Sequence, residues 1–303
     1  MKKFIIVFLI LILAATPVVF AACSRVSQTD MLSDPYIADN AEIFTYKIYH
    51  ATDHGKDLVG EMTLTFRKVK AEDVVLQDPT AENNERTISA FSGTRLSMAY
   101  KMDGVYNSDE GFSEVLYAND YSPVYSYKHT SIGGTVKDMC VVYDTKYAYT
   151  YLYENGEKKK EAEVKVKNTT HFDNEMIYTI VRASNVSYSS YTMSFYSPNA
   201  LTASLESISV SKVKEVGETG LAWVTPDENG ESMLPCYLMS ISIANTYAKS
   251  YSMYVSKNKI NATFHKKGEN DEDIEYEVSG VTKAIVKIEE GAYSYILDRI
   301  EIL

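Results

Sequence analysis

Residues 42–69 read EIFTYKIYHATDHGKDLVGEMTLTFRKV. Phe44, Tyr46 and Ile48 take every other position, and Met62, Leu64 and Phe66 do the same. A period of two puts alternate side chains on one face of an extended chain. Between the runs stands Asp53-His54-Gly55-Lys56, whose turn-forming residues reverse the chain. The stretch predicts a long β-hairpin.

The alternation recurs in Arg95–Met102, Thr135–Tyr143, Tyr147–Tyr153, Glu163–Val166, Tyr188–Tyr196 and Ser204–Val213. It returns in Leu238–Ala244, Tyr251–Ser256, Ala284–Ile288 and Tyr293–Leu303, and Asn155-Gly156 and Glu290-Gly291 punctuate two further hairpins. A chain with 25 Tyr and a single Trp agrees with antiparallel sheet, since tyrosine suits a half-wet pleated face. Helices are scarce. Over Phe172–Ser184, Asp173 or Asn174 can cap, Glu175 favours the first turn, and Met176, Ile177, Ile180 and Val181 form one apolar stripe. A second, shorter helix is expected over Ser113–Asn119. Gly217–Glu231 and the acidic run Glu269–Glu275 are expected loops. With 303 residues and 45% hydrophobic content the chain can bury a sizeable core, and residues 42–303 are expected to form a single antiparallel β-rich domain.

The first 22 residues stand apart. Lys2-Lys3, an apolar run from Phe4 to Leu13 and the small residues before Cys23 have the form of an export signal. Phe20-Ala21-Ala22-Cys23 resembles the lipobox of bacterial lipoproteins, with Phe20 where Leu is usual. The resemblance implies that Cys23 is lipidated and becomes the new N-terminus, giving a membrane location on the extracytoplasmic side. Two other readings stand beside it: ordinary cleavage to a free secreted protein, and an uncleaved anchor, for which the run is short and interrupted by Pro17. Each buried methylene of an acyl anchor contributes about 0.8 kcal/mol, so such an anchor needs no basic patch. Residues 24–41 lack any sustained period and read as a flexible tether, with a reach of about 60 Å when extended.

Without the leader's two lysines, 28 basic residues face 41 acidic ones, a net charge of −13. Such a balance argues against nucleic acid as a partner. Cys140 and Cys236 remain after the anchor. A bridge between them, 96 positions apart, would restrict the unfolded chain by roughly 4–5 kcal/mol. Their apolar settings, DMCVVY and LPCYLM, favour instead two buried thiols.

Several constellations bear on chemistry. His50 and His54 have the spacing of a helical zinc pair but sit where a strand enters a turn. Asp271-Glu272-Asp273 lacks the ligand alternation of a calcium loop. Tyr147, Tyr149, Tyr151 and Tyr153 share one side of a strand, as a cross-strand ladder or as a stacking platform for sugars. Phe91-Ser-Gly-Thr94 is not a nucleophile elbow, and no phosphate loop or dinucleotide fingerprint occurs. No metal, no cofactor and no catalysis are expected.

Tyr46–Tyr49, the turn at Gly55, Gly60–Thr65, Tyr125-Ser-Tyr127 with Val141–Asp144, His171-Phe-Asp173 running into Ile177–Arg182, and Gly291–Ile296 together resemble a bacterial exported family of unknown function. That resemblance implies the half-barrel of lipoprotein carriers: a curved antiparallel sheet wrapped around one inner helix that ends in an arginine. It also implies an apolar groove, here lined in part by Met176, Ile177, Ile180 and Val181. The leading expectation is a binding or carrier module for an apolar, lipid-like ligand. A surface interaction protein with a filled core, meeting a protein partner or polysaccharide, is the alternative, and an envelope hydrolase the distant third.

Overall fold

The computed structural model describes residues 32, 41–103, 109–167, 169–184, 191–219, 221, 233–244, 249–267 and 273–303. The residues around Cys23, most of the tether and Asp271-Glu272 lie outside these. So does most of the expected loop at 217–231, and strand pairing continues to Thr219.

The opening hairpin forms as read: β1 (Ala41–Thr52) pairs antiparallel with β2 (Gly55–Gln77) across the turn. Next come β3 (Glu85–Met102), β4 (Asp109–Ala118), β5 (Pro123–Ile132), β6 (Thr135–Tyr143), β7 (Tyr147–Glu154) and β8 (Glu157–Lys165), each pairing with its predecessor. A 3-10 turn over Asn174–Met176 then leads into α1 (Ile177–Ala183). The second half comprises β9 (Thr192–Asn199), β10 (Ser204–Thr219), β11 (Met233–Ala244), β12 (Lys249–Ser256), β13 (Ile260–Lys267), β14 (Asp273–Thr282), β15 (Ile285–Glu290) and β16 (Tyr293–Ile302).

β16 joins the two halves by pairing with β1, so one sheet runs β8-β7-β6-β5-β4-β3-β2-β1-β16-β15-β12-β11-β10-β9. β13 and β14 form a side hairpin that meets β16 in parallel. The sheet curls until its ends, β8 and β9, nearly meet. Thr170 and Phe172 tie the seam to β9: Tyr196 N–H donates to Thr170 O and Phe172 N–H to Tyr196 O, both at 3.0 Å. Lys160 Nζ crosses to Leu201 O at 3.1 Å, and Val166 packs with Val141, Ala148 and Leu205. A fully open edge would leave a row of unpaired backbone groups; here the linker covers part of it.

α1 lies inside this wrap. Met176, Ile177, Ile180 and Val181 are at most 2% exposed and belong to the main core with Phe44, Ile48, Leu64, Phe66 and residues of β10–β12. Leu32 bridges to Ser184 at the end of the helix, so one point of the expected tether is docked. At that end Arg182, 2% exposed, donates from Nη2 to Glu42 Oε2 at 2.9 Å and to Thr282 Oγ1 at 2.8 Å, and from Nε to Lys283 O at 2.8 Å. Its guanidinium lies between the rings of Phe44 and Phe66, 4.6 and 4.3 Å from their centroids.

Two expectations need correction: of the loop at Glu269–Glu275, residues 273–275 belong to β14 and pair with β13, and the second helix is a strand. Ser113–Asn119 is not a helix, because Asp109–Ala118 is β4. Its inward residues Ser113, Val115 and Tyr117 face the helix, and its outward Glu114 and Leu116 are also buried, so the strand shows no polar face and no clean alternation. The outward side is covered by the opening hairpin's continuation. β2 and β3 extend well beyond residue 69, bend at register shifts around Glu72 with Ala71 and Ala90 at positive φ, and fold back over β4–β6. Val74 and Leu76 pack there against Leu116, Tyr125 and Cys140. This second core on the outer face was not foreseen.

Candidate functional site

β5 turns Ser126 and Lys128 inward and Tyr125, Tyr127 and His129 outward, by the two-residue period. Ahead of α1, Asp173 holds an extended backbone and caps the 3-10 turn, accepting Glu175 N–H at 2.8 Å. Inward strand side chains converge on this turn. Ser126 Oγ and the Tyr143 hydroxyl donate to Asp173 Oδ2 at 2.5 and 2.6 Å. Ser113 Oγ donates to Glu175 Oε2, and Lys128 Nζ to Glu175 Oε1, both at 2.8 Å.

The two carboxyls are buried yet titrate in opposite directions. Burial, helped by the neighbouring Glu175 charge, pushes Asp173 above the usual carboxylate range despite its three donors. Burial acts the same way on Glu175, but the Lys128 ammonium and the hydroxyl donor outweigh it and hold Glu175 below its ordinary value. Burial works against the Lys128 charge, and Glu175 more than restores it.

Beside this network lies a cavity of about 400 Å³, within the range of small-molecule sites. Its polar end is Ser126, Lys128 and Asp173–Glu175. Its apolar wall combines Met139 and Val141 of β6 and Ile243 of β11 with Pro198, Ala200 and Leu201 around the β9–β10 turn, where Asn199 and Glu206 also line it. Leu201 is exposed at the rim. Asn174 Oδ1 has no hydrogen-bond partner among the described residues, although no solvent reaches it. The cavity therefore joins an apolar wall to a polar, charged end, at the seam where the sheet does not close.

The helix stripe read as groove lining, Met176, Ile177, Ile180 and Val181, does not border this cavity; it fills the core. The stripe packs directly against the sheet that wraps around the helix. Lys128, Asp173 and Glu175 were missed as a set because they come from two distant segments, and in YSYKHTS both faces of the strand are partly polar. The only local signal was the cap itself.

Cys140 and Cys236 are not bridged: each is a free, buried thiol. Cys140 faces outward into the second core and Cys236 lies in the main core, each pushed up by burial to about 12. Cys140 Sγ approaches Asp78 Oδ1 at 4.0 Å. Burial pulls Asp78 upward, but bonds from Thr80 and the Arg86 guanidinium bring it below the ordinary value. The pair thus offers neither a ready thiolate nor a general acid.

Among the scattered histidines, His50 packs on Tyr293 and His129 Nδ1 meets Asp138 at 2.7 Å. No His, Cys, Asp and Glu group with metal-binding geometry occurs among the described residues. Tyr147, Tyr149, Tyr151 and Tyr153 form a half-buried row on the outer face, opposed on β8 by residues of 158–165. The Glu157–Glu161 tip carries exposed ion pairs, Lys158–Glu161 and Lys159–Glu157.

These features define a barrel-like antiparallel β-protein with an inner helix and a side cavity at its seam. The chain is similar in structure to the β-barrel-like protein of the domain of unknown function DUF1849 from Brucella abortus, at 10% identity and a TM-score of 0.45, over 88% of this chain and 99% of that one. No family model and no curated protein matches the sequence. No helix among the described residues is long and apolar enough to cross a membrane.

Proposed function

We propose that this protein is a lipid-anchored, extracytoplasmic bacterial binding module, performing no catalysis, that takes an apolar, lipid-like group into the seam cavity. The observation that carries the reading is the cavity itself: an apolar wall from Met139, Val141, Leu201 and Ile243 that ends at the polar side chains Ser126, Lys128 and Asp173–Glu175. An alkyl group can cover the wall while a polar head at its end meets Ser126 and Lys128. The anchor and location rest on the leader and Cys23. The resemblance to lipoprotein carriers leads to the same ligand class, but the ligand is placed beside the helix rather than along it.

A second reading, an interaction protein with a filled core, is favoured by the complete burial of the Met176–Val181 stripe. Native mass spectrometry of the protein from an export-competent host separates the two. A co-purifying apolar adduct, lost in Leu201→Glu, supports the binding reading. A clean apo mass, with no uptake of fluorescent fatty acid or long-chain alcohol, refutes it in favour of the second.

A further inference from the structure

Another cavity, of about 340 Å³, lies on the outer face, away from the seam. On one side stand residues of the bent-back hairpin, Asp78, Pro79 and Asn84; on the other are Tyr127, Asp138 and Tyr153 from three adjacent strands. Register puts the last three on one face: Asp138 opposes His129 on β5 and Tyr153 on β7. Asp78 is occupied, since Thr80 and Arg86 take its oxygens. Asp138 is only half used: Oδ1 accepts the Tyr127 hydroxyl at 2.8 Å and meets His129. Among the described residues its Oδ2 has no hydrogen-bond partner, nor has the Tyr153 hydroxyl.

We infer that this cavity binds carbohydrate. The inventory is one open carboxylate oxygen, the Asn84 amide and the phenol and half-buried ring of Tyr153. It matches a ligand that donates several hydroxyls around a ring and offers an apolar C–H face to an aromatic surface. A bare cation fits less well, because the Asp78 charge is already met by Arg86. The volume admits about one hexose ring and part of a second. From Tyr153 the row continues to Tyr151 and Tyr149 on the same face at about 7 Å spacing, further surfaces for an extended chain. The inference is independent of the seam cavity.

The test is calorimetric titration of the full chain with a chito-oligosaccharide and, separately, malto-oligosaccharide, with tri-lysine as the cationic control. Saturable binding of at least one oligosaccharide is expected, weakened at least about tenfold by Asp138→Asn and, independently, by Tyr153→Ala. Tyr153 is half-buried at a strand end, so its truncation keeps the test valid if Asp138→Asn disturbs folding, and melting curves check both variants. Absence of saccharide binding up to about 10 mM, binding of tri-lysine alone, or binding indifferent to Tyr153→Ala overturns the inference.

Discussion

Replacing Arg182 by Met tests the account of the interior most severely. Arg182 and Glu42 are almost wholly withdrawn from solvent, and Arg182 also holds Thr282, the Lys283 carbonyl and two aromatic faces. Methionine keeps much of the apolar stem but leaves the Glu42 carboxylate without a cation. Removing one partner of a buried pair costs about 3–5 kcal/mol, a large share of a typical 5–15 kcal/mol stability. In urea, with a slope of about 3 kcal/mol per molar, the midpoint should fall by about 1–1.7 M. Glu42→Gln alone should also destabilise, because it strands the guanidinium. Combined with Arg182→Met it should recover part of the loss, since no buried charge remains. Urea unfolding followed by circular dichroism, run as a double-mutant cycle, measures this. A single-variant loss below about 1 kcal/mol, or simple additivity of the two losses, would refute the idea that this ion pair is coupled and buried.

Two further outcomes follow from the titrating groups. With Cys23→Ser in place, Cys140 and Cys236 should resist a thiol-specific disulfide reagent at pH 8 in the native protein and react only after unfolding; reductant should leave the mass unchanged, and a gain of about two mass units would show a bridge. Because Glu175 is held below its unfolded value, its contribution is present above that value and lost as pH falls through the folded one. Asp173, raised in the fold, acts in the opposite sense: its contribution is complete below its unfolded value and declines as pH rises. Glu175→Gln should therefore be less stable than the parent at pH 7, with the gap narrowing towards pH 3. A gap independent of pH in urea midpoints would count against the Lys128–Glu175 pairing.

Much of the architecture was legible along the chain, since strands with one wet and one dry face announce themselves by a period of two. Phe44–Ile48 and Met62–Phe66 show it, as does β7, where Ala148, Thr150 and Leu152 are buried between half-buried tyrosines. The helix was legible too, from its Asp173 cap and apolar stripe, although its first turn is 3-10. Where both faces are covered, as in β4, the alternation vanished and the reading failed.

What the sequence determined by itself, then, is an antiparallel sheet with one capped, apolar-striped helix, because strand and helix periods are local properties of neighbouring residues. Only the tertiary structure decided that the helix is engulfed and that the opening hairpin folds back to bury Asp78 and Cys140. It also decided that Lys128 meets Glu175, and that Met139, Ile243 and Leu201 share one cavity. These are meetings of segments about fifty to a hundred positions apart, brought together by how far the sheet curls and where it stops short of closure, and no local pattern encodes that curvature.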